Sequence, residues 1–141
     1  MVVGIGIDLV DVARFRALLE RHGTRIRQRV FTDLEWELAQ KSGNPVQTLA
    51  ARFAAKEAGM KAIGTGWADG VGFRDFEVDR DPSGSPRLRL SGRAGKRAAI
   101  LGAGRALVSI THTRSVVAAI VVLEAAAPRR ARVHGRRTST S

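Results

Sequence analysis

The sequence contains no cysteine, which excludes a disulfide framework and any metal site built on thiolates. It has no tyrosine, and aromatic residues are only 5% of its 141 positions. The rows of stacking side chains on which single-stranded nucleic acids are bound are therefore missing. Apolar runs are far shorter than the roughly 20 residues that cross a bilayer. The chain opens directly on a strand-like run, without the basic and apolar regions of a secretory signal, so a cytoplasmic location is expected. Acidic residues are scarce, with 13 against 24 Lys and Arg, for a formal net charge of +11. Five of those charges are arginines in residues 128–141, a stretch with no acid and few apolar side chains, expected to be a disordered tail. Residues 1–127 retain six positive charges and are expected to form one domain.

What is present centres on Leu49–Ala62. At about 100° per residue, Leu49, Ala50, Ala51, Phe53, Ala54, Ala55, Ala58, Met60 and Ala62 cover more than half of a helix circumference. Thr48, Arg52 and Lys56 share the remaining, solvated sector, whereas Glu57 and Lys61 fall inside the apolar arc. A carboxylate there needs a partner, because an isolated buried charge is costly. Glu57 and Lys61 as a surface i,i+4 pair is the plainer alternative. A second acid comes from Val2–Asp8, a β-branched run of strand length. Its alternation puts Gly4, Gly6 and Asp8 on one face, and two strand glycines imply close approach of another backbone. If that backbone is the central helix, Asp8 meets Glu57. Two such carboxylates repel unless a proton or a hard cation lies between them, and oxygen ligands favour Mg²⁺ or Mn²⁺. Taken singly, Asp8 reads as a turn residue or cap.

Asp11 can cap a helix running to about His22, with Gly23 as its stop. Val12, Phe15, Leu18 and Leu19 form its apolar stripe, with Arg14, Arg21 and the following Arg25 facing outward. Thr32 and Glu35 have capping-box spacing for a helix to about Lys41. Asn44 and Pro45 open the central helix and Gly64 ends it. Gly64-Thr65-Gly66 lacks the lysine and serine of a phosphate loop and supports only a cap. A loop over 67–72 precedes a hairpin whose turn is Asp81–Pro86. A short helix over 93–101 follows, then strands over 107–111 and 116–123. The last strand is apolar on both faces, so it is covered on both sides, within the fold or by another subunit.

Gly4-Ile5-Gly6-Ile7-Asp8-Leu9-Val10, followed by Arg52-Phe53-Ala54-Ala55-Lys56-Glu57-Ala58-Gly59-Met60-Lys61 and Gly64-Thr65-Gly66, resembles the holo-[acyl-carrier-protein] synthases, the small 4'-phosphopantetheinyl transferases. Gly72-Phe73, Gly84-Ser85-Pro86 and Ser109-Ile110-Thr111-His112-Thr113 extend the resemblance across residues 2–124. It implies an α+β fold in which a mainly antiparallel sheet wraps a long central helix, assembled as a homotrimer with its sites at subunit interfaces. It implies transfer of the 4'-phosphopantetheine arm of coenzyme A to a serine of an acidic acyl carrier protein, in fatty-acid or polyketide biosynthesis. Asp8 and Glu57 would hold Mg²⁺, with Lys61 beside them as the third catalytic group. Arg52, Lys56, Lys61, Gly64, Pro86, Thr111 and His112 would line the coenzyme. Arg14, Arg21 and Arg25 would meet the carrier protein. Taken singly, His112 reads as a structural histidine hydrogen-bonded to threonine hydroxyls. A metal-bound water, Glu57 and His112 remain alternatives for the group that removes the serine proton. Ser85 stands where the family commonly has lysine.

Two other readings make different demands. A basic nucleic-acid-binding module would account for the charge but leaves Asp8 and Glu57 unexplained and lacks the aromatics. A carrier-binding homologue without activity would have no need of Asp8, Glu57 and Lys61 together.

Overall fold

The computed structural model describes residues 1–64 and 70–128; residues 67–69 of the expected 67–72 loop lie outside them, as does the tail beyond Pro128. Strand β1, Val2–Asp11, leads into helix α1, Val12–Val30. Helices α2, Asp33–Gln40, and α3, Pro45–Ile63, follow. A 3₁₀ turn, Phe73–Asp75, precedes β2, Phe76–Arg80, and β3, Pro86–Leu90. Helix α4, Gly92–Ile100, and strands β4, Ala103–His112, and β5, Val116–Ala125, complete the fold. The α+β reading therefore holds. One antiparallel sheet has the order β1-β5-β4, and β2 and β3 form a separate antiparallel hairpin.

The expected caps are in place. Asp11 accepts from the Arg14 amide, Thr32 and Glu35 form the capping box, Asn44 accepts from the Gln47 amide, and Gly64 is left-handed at φ 75°. The expected stop at His22 and Gly23 appears as a break in helical geometry rather than as the end of α1. The geometry breaks at His22 (φ −133°, ψ 26°) and the helix resumes to Val30, because Ile26 and Val30 carry its apolar stripe into the core. Phe15 of α1 and Phe53 of α3 stack 5.4 Å apart, and Phe53 meets Phe73 at the same distance, tying α1, α3 and the 3₁₀ turn together.

Helix α3 lies across the β1-β5-β4 sheet. On β5, Val117, Ala119, Val121 and Leu123 are buried beneath it, while Val116, Ala118, Ile120 and Val122 alternate onto the far face. That far face also carries Ile5, Ile7 and Leu9 of β1, each about 60–70% exposed. Among the described residues, only one side of the apolar strand is covered.

The contact between β1 and α3 sets the spacing of the whole layer. A Cβ on Gly6 would overlap the Ala58 carbonyl oxygen and come within 2.8 Å of the Ala62 nitrogen, and one on Gly4 would overlap the Ala62 carbonyl. Small residues on both elements let the two backbones touch. Gly59 has the same role on the other side of α3, where a Cβ would reach 2.7 Å from the Phe76 ring. Gly6→Ala is expected to lower stability by at least about 1–3 kcal/mol, the range for overpacking, measured as a fall in the urea midpoint. An unchanged midpoint would mean that β1 and α3 can separate without loss.

Candidate functional site

The register that seats Gly4 and Gly6 on α3 turns Asp8 toward the same helix two residues further along β1. Asp8 and Glu57 line one open cleft of about 640 Å³, together with Leu9, Val10, Asp11, Arg14, Phe15, Leu18, Phe53 and Val116. Lys61, one turn beyond Glu57, donates to the Asp8 carboxylate at 3.1 Å and to the Ile7 carbonyl at 2.9 Å. Its side chain is half exposed, and Asp8 retains little exposure. Glu57 is half-buried. Its carboxyl is pushed up from the usual carboxylate range, first by burial and then by the Asp8 charge, with Lys61 opposing both.

Among the described residues no group of three His, Cys, Asp or Glu forms a metal cage. Mg²⁺ does not require one, since it is usually held by one or two carboxylates with substrate phosphates and water as the remaining ligands. Two carboxylates lining one cleft, with solvent on one side, fit that pattern.

A second cavity of about 240 Å³ lies on another face of α3, lined by Gln47, Thr48, Ala51, Arg52, Val78, Asp79, Arg80, Pro86, Ile110 and His112. Arg52 and Glu57 are five residues apart, roughly 140° around the helix, so the two clusters diverge. Arg52 is only 5% exposed, and its Nε is buried without a hydrogen-bond partner. Burial lowers its pKa from the arginine value, opposed by Glu35. An orphan guanidinium nitrogen in a cavity has the chemistry of an anion site. Asp79 offsets it least of the charges around it, and two other arginines hold that carboxylate: Arg89 at 2.8 Å and Arg87 at 3.3 Å. His112 is exposed, and its Nδ1 lies 3.2 Å from Gln47 Nε2.

Several expected positions need correcting. Arg52 and Lys56 do not lie on a solvated sector, because α2 and the start of β2 cover that side of α3. Lys56 is fully buried. Its Nζ meets Glu35 Oε1 at 2.6 Å and donates to the carbonyls of Phe73, at 3.1 Å, and Phe76. All three ammonium protons have acceptors inside the protein, so Lys56 does not present a contact to a coenzyme phosphate. Of the other residues, Asp8, Glu57 and Lys61 are brought together, and Gly64 lies one turn past Lys61. Arg52, Pro86 and His112 share the second cavity, with exposed Thr111 beside them on β4. Arg14 borders the carboxylate cleft, while exposed Arg21 and Arg25 flank the kink in α1.

Sequence reasoning missed Glu35, Gln47 and Asp79. Glu35 reads only as a capping-box residue, although its second oxygen accepts from the Val78 amide at 2.9 Å. Asp79 was legible in principle, since the hairpin register sets it directly opposite Arg87.

Residues 4–121 match the 4'-phosphopantetheinyl transferase superfamily. The chain belongs to that superfamily. It is 46% identical to the holo-[acyl-carrier-protein] synthase of Koribacter versatilis over 88% of this chain and 99% of the relative. The crystal structure of the Neisseria meningitidis holo-[acyl-carrier-protein] synthase superposes with a TM-score of 0.80 at 35% identity, covering 88% of this chain and 99% of the other. That of Bacillus anthracis, solved with CoA (3',5'-ADP), gives 0.73 at 35% identity, covering 89% and 99%. The phosphopantetheinyl transferase fold thus spans nearly all the described residues, and no described helix is long and apolar enough to cross a membrane.

The carboxylate pair gives a direct test. Asp8→Asn removes the charge that disfavours ionised Glu57, so the Glu57 pKa should fall toward the ordinary value. A carboxyl raised in the folded state destabilises progressively as pH rises above its ordinary range. The variant should therefore lose less stability than the wild type between about pH 4.5 and neutrality. Added Mg²⁺ should raise the Tm of the wild type, the stabilisation reaching about 2.7 kcal/mol at a hundredfold excess over Kd, and leave the Tm of Asp8→Asn unmoved. An equal Mg²⁺ shift in both would remove Asp8 from the metal site.

Proposed function

We propose that the protein transfers the 4'-phosphopantetheine arm of coenzyme A to a serine of an apo acyl carrier protein, releasing 3',5'-ADP. The observation that carries this reading is the Asp8–Glu57–Lys61 cluster at the mouth of one cleft, in a chain of this superfamily. The serine hydroxyl gives its proton to a base, for which a metal-bound water, Glu57 and His112 are the candidates, and its oxygen forms a bond to the β-phosphorus as the bond from that phosphorus to the 3',5'-ADP oxygen breaks. Asp8 and Glu57 would hold Mg²⁺, which when bound offsets phosphate charge that otherwise repels the nucleophile. Lys61, aligned by the Ile7 carbonyl and Asp8, directs its ammonium at the phosphate and stabilises the departing oxygen. Arg14, on the rim of the same cleft, with Arg21 and Arg25 further along α1, receives the acidic carrier surface.

The coenzyme also carries a 3'-phosphate away from its pyrophosphate, and the Arg52, Thr111 and His112 region takes it. Because that region and the carboxylate cleft lie on different faces of α3, each complete site uses the cleft of one subunit and the cavity of the next. The exposed Ile5, Ile7 and Leu9 stripe, continued by Ala118, Ile120 and Val122, is the surface through which three chains associate. The activity belongs to fatty-acid or polyketide biosynthesis in the cytoplasm.

Intact mass spectrometry of an apo acyl carrier protein, incubated with this protein, coenzyme A and Mg²⁺, should show the gain of one phosphopantetheine and none with EDTA. No gain across several carrier proteins would contradict the transferase reading. Ile7→Asp should convert the trimer to monomers by light scattering. It should lower transfer at least about a hundredfold, the scale on which misplaced catalytic groups lose rate. A fully active monomer would remove the shared site.

A further inference from the structure

The Glu35–Lys56 pair has no place in the chemistry above, yet its construction is elaborate. Both side chains are completely buried. Glu35 Oε1 accepts from the Thr32 amide and pairs with Lys56, while Oε2 accepts from the Val78 amide. Lys56 supplies its other two protons to Phe73 and Phe76 carbonyls. The pair thus joins the start of α2, the middle of α3, the 3₁₀ turn and the first half of β2. Replacing a buried ion pair with packed apolar groups is often neutral or stabilising, so stability alone does not explain this one.

Its location suggests what it does. Lys56 lies one helical turn from Arg52 on the same face of α3. The β2 atoms it and Glu35 grip belong to residues 76 and 78, directly before Asp79 and Arg80. Arg52, Val78, Asp79 and Arg80 all line the second cavity. The pair is therefore the fastening between the two walls of that cavity, placed behind its lining. Burial lowers the Lys56 pKa, with Glu35 acting against that shift, and the three acceptors around Nζ are those a charged ammonium requires.

We infer that Glu35 and Lys56 are positioning residues for the coenzyme pocket, their buried pair fixing Arg52 against β2 so that the pocket discriminates in favour of a coenzyme bearing its 3'-phosphate. This rests on the assignment of the Arg52 cavity to that phosphate. Neither residue touches the substrate, and both act through Arg52 and the β2 backbone. Removing both charges together avoids stranding one of them in the core.

The test compares wild type, Glu35→Gln/Lys56→Met and Arg52→Ala for kcat and KM, with coenzyme A and with 3'-dephospho-coenzyme A, at saturating carrier protein. The double variant should remain a folded trimer with kcat within about twofold of wild type and a KM for coenzyme A raised about tenfold, the lower end of losses seen when supporting contacts are removed. Its KM for the dephospho compound should match that of the wild type. A folded double variant with unchanged KM for coenzyme A, or with equal increases for both compounds, would overturn the inference. If the double variant does not fold, Glu35→Asp provides the same readout, because shortening the side chain withdraws it from the Val78 amide while keeping its charge. An Arg52→Ala variant that also raises KM only for coenzyme A keeps the pocket assignment standing whichever way the pair behaves. An Arg52→Ala variant with unchanged KM would defeat the pocket assignment and this inference with it.

Discussion

The close contact between β1 and α3 is the constraint on which the rest depends. Gly4 and Gly6 bring the strand backbone against Ala58 and Ala62 at a separation that no side chain could share. That spacing buries the alanine-rich face of the helix on β1 and β5. It also carries Asp8 to the level of Glu57 and lets Lys61 reach both the Ile7 carbonyl and the Asp8 carboxylate. Larger residues on either element would move the acid out of range of its partners. Packing and chemistry are thus set by the same few atoms.

The second consequence is the division of labour around α3. The helix is buried on nearly all sides, so it presents different groups to different neighbours: Glu57 and Lys61 toward β1 and α1, Arg52 toward β2 and β4, Lys56 toward α2. One chain therefore displays two clusters that point apart and, among the described residues, an uncovered apolar sheet face besides. A catalytic cleft with too few ligands for a metal cage, an arginine with an orphan nitrogen, and a sheet lacking its second cover become mutually explicable if each is completed by substrate or by another copy of the chain.

Much of this was legible in the residues. The helix caps Asp11, Thr32, Asn44 and Gly64 are local chemistry, governed by hydrogen bonds three or four residues away, and all four are where the sequence puts them. The two strand glycines announced a close backbone approach, and the acid after them was correctly brought to Glu57. The failures lie where local pattern meets tertiary cover. Lys56 and Arg52 occupy the polar sector of an isolated helix, but α2 and β2 close over that sector, and the partner that makes Lys56 tolerable, Glu35, looks from the sequence like a capping residue alone. Gly23 carries the mark of a helix stop, yet the apolar residues Ile26 and Val30 beyond it draw α1 onward with a kink. Clusters on different faces of one helix leave no signature in linear spacing.

The claim that the site is shared between chains is tested most directly by mixing two crippled proteins. Arg52→Ala lacks the pocket and Glu57→Gln lacks a carboxylate of the cleft, so at coenzyme A far below the raised KM of Arg52→Ala each alone should be nearly inactive. Unfolded together and refolded in equal amounts, they should recover about one quarter of wild-type transfer, the fraction of intact interfaces that random assembly of two chains gives in a cyclic trimer. Activity no greater than that of the separate variants, in mixed trimers verified by mass, would show that each chain builds its site alone and would contradict the account.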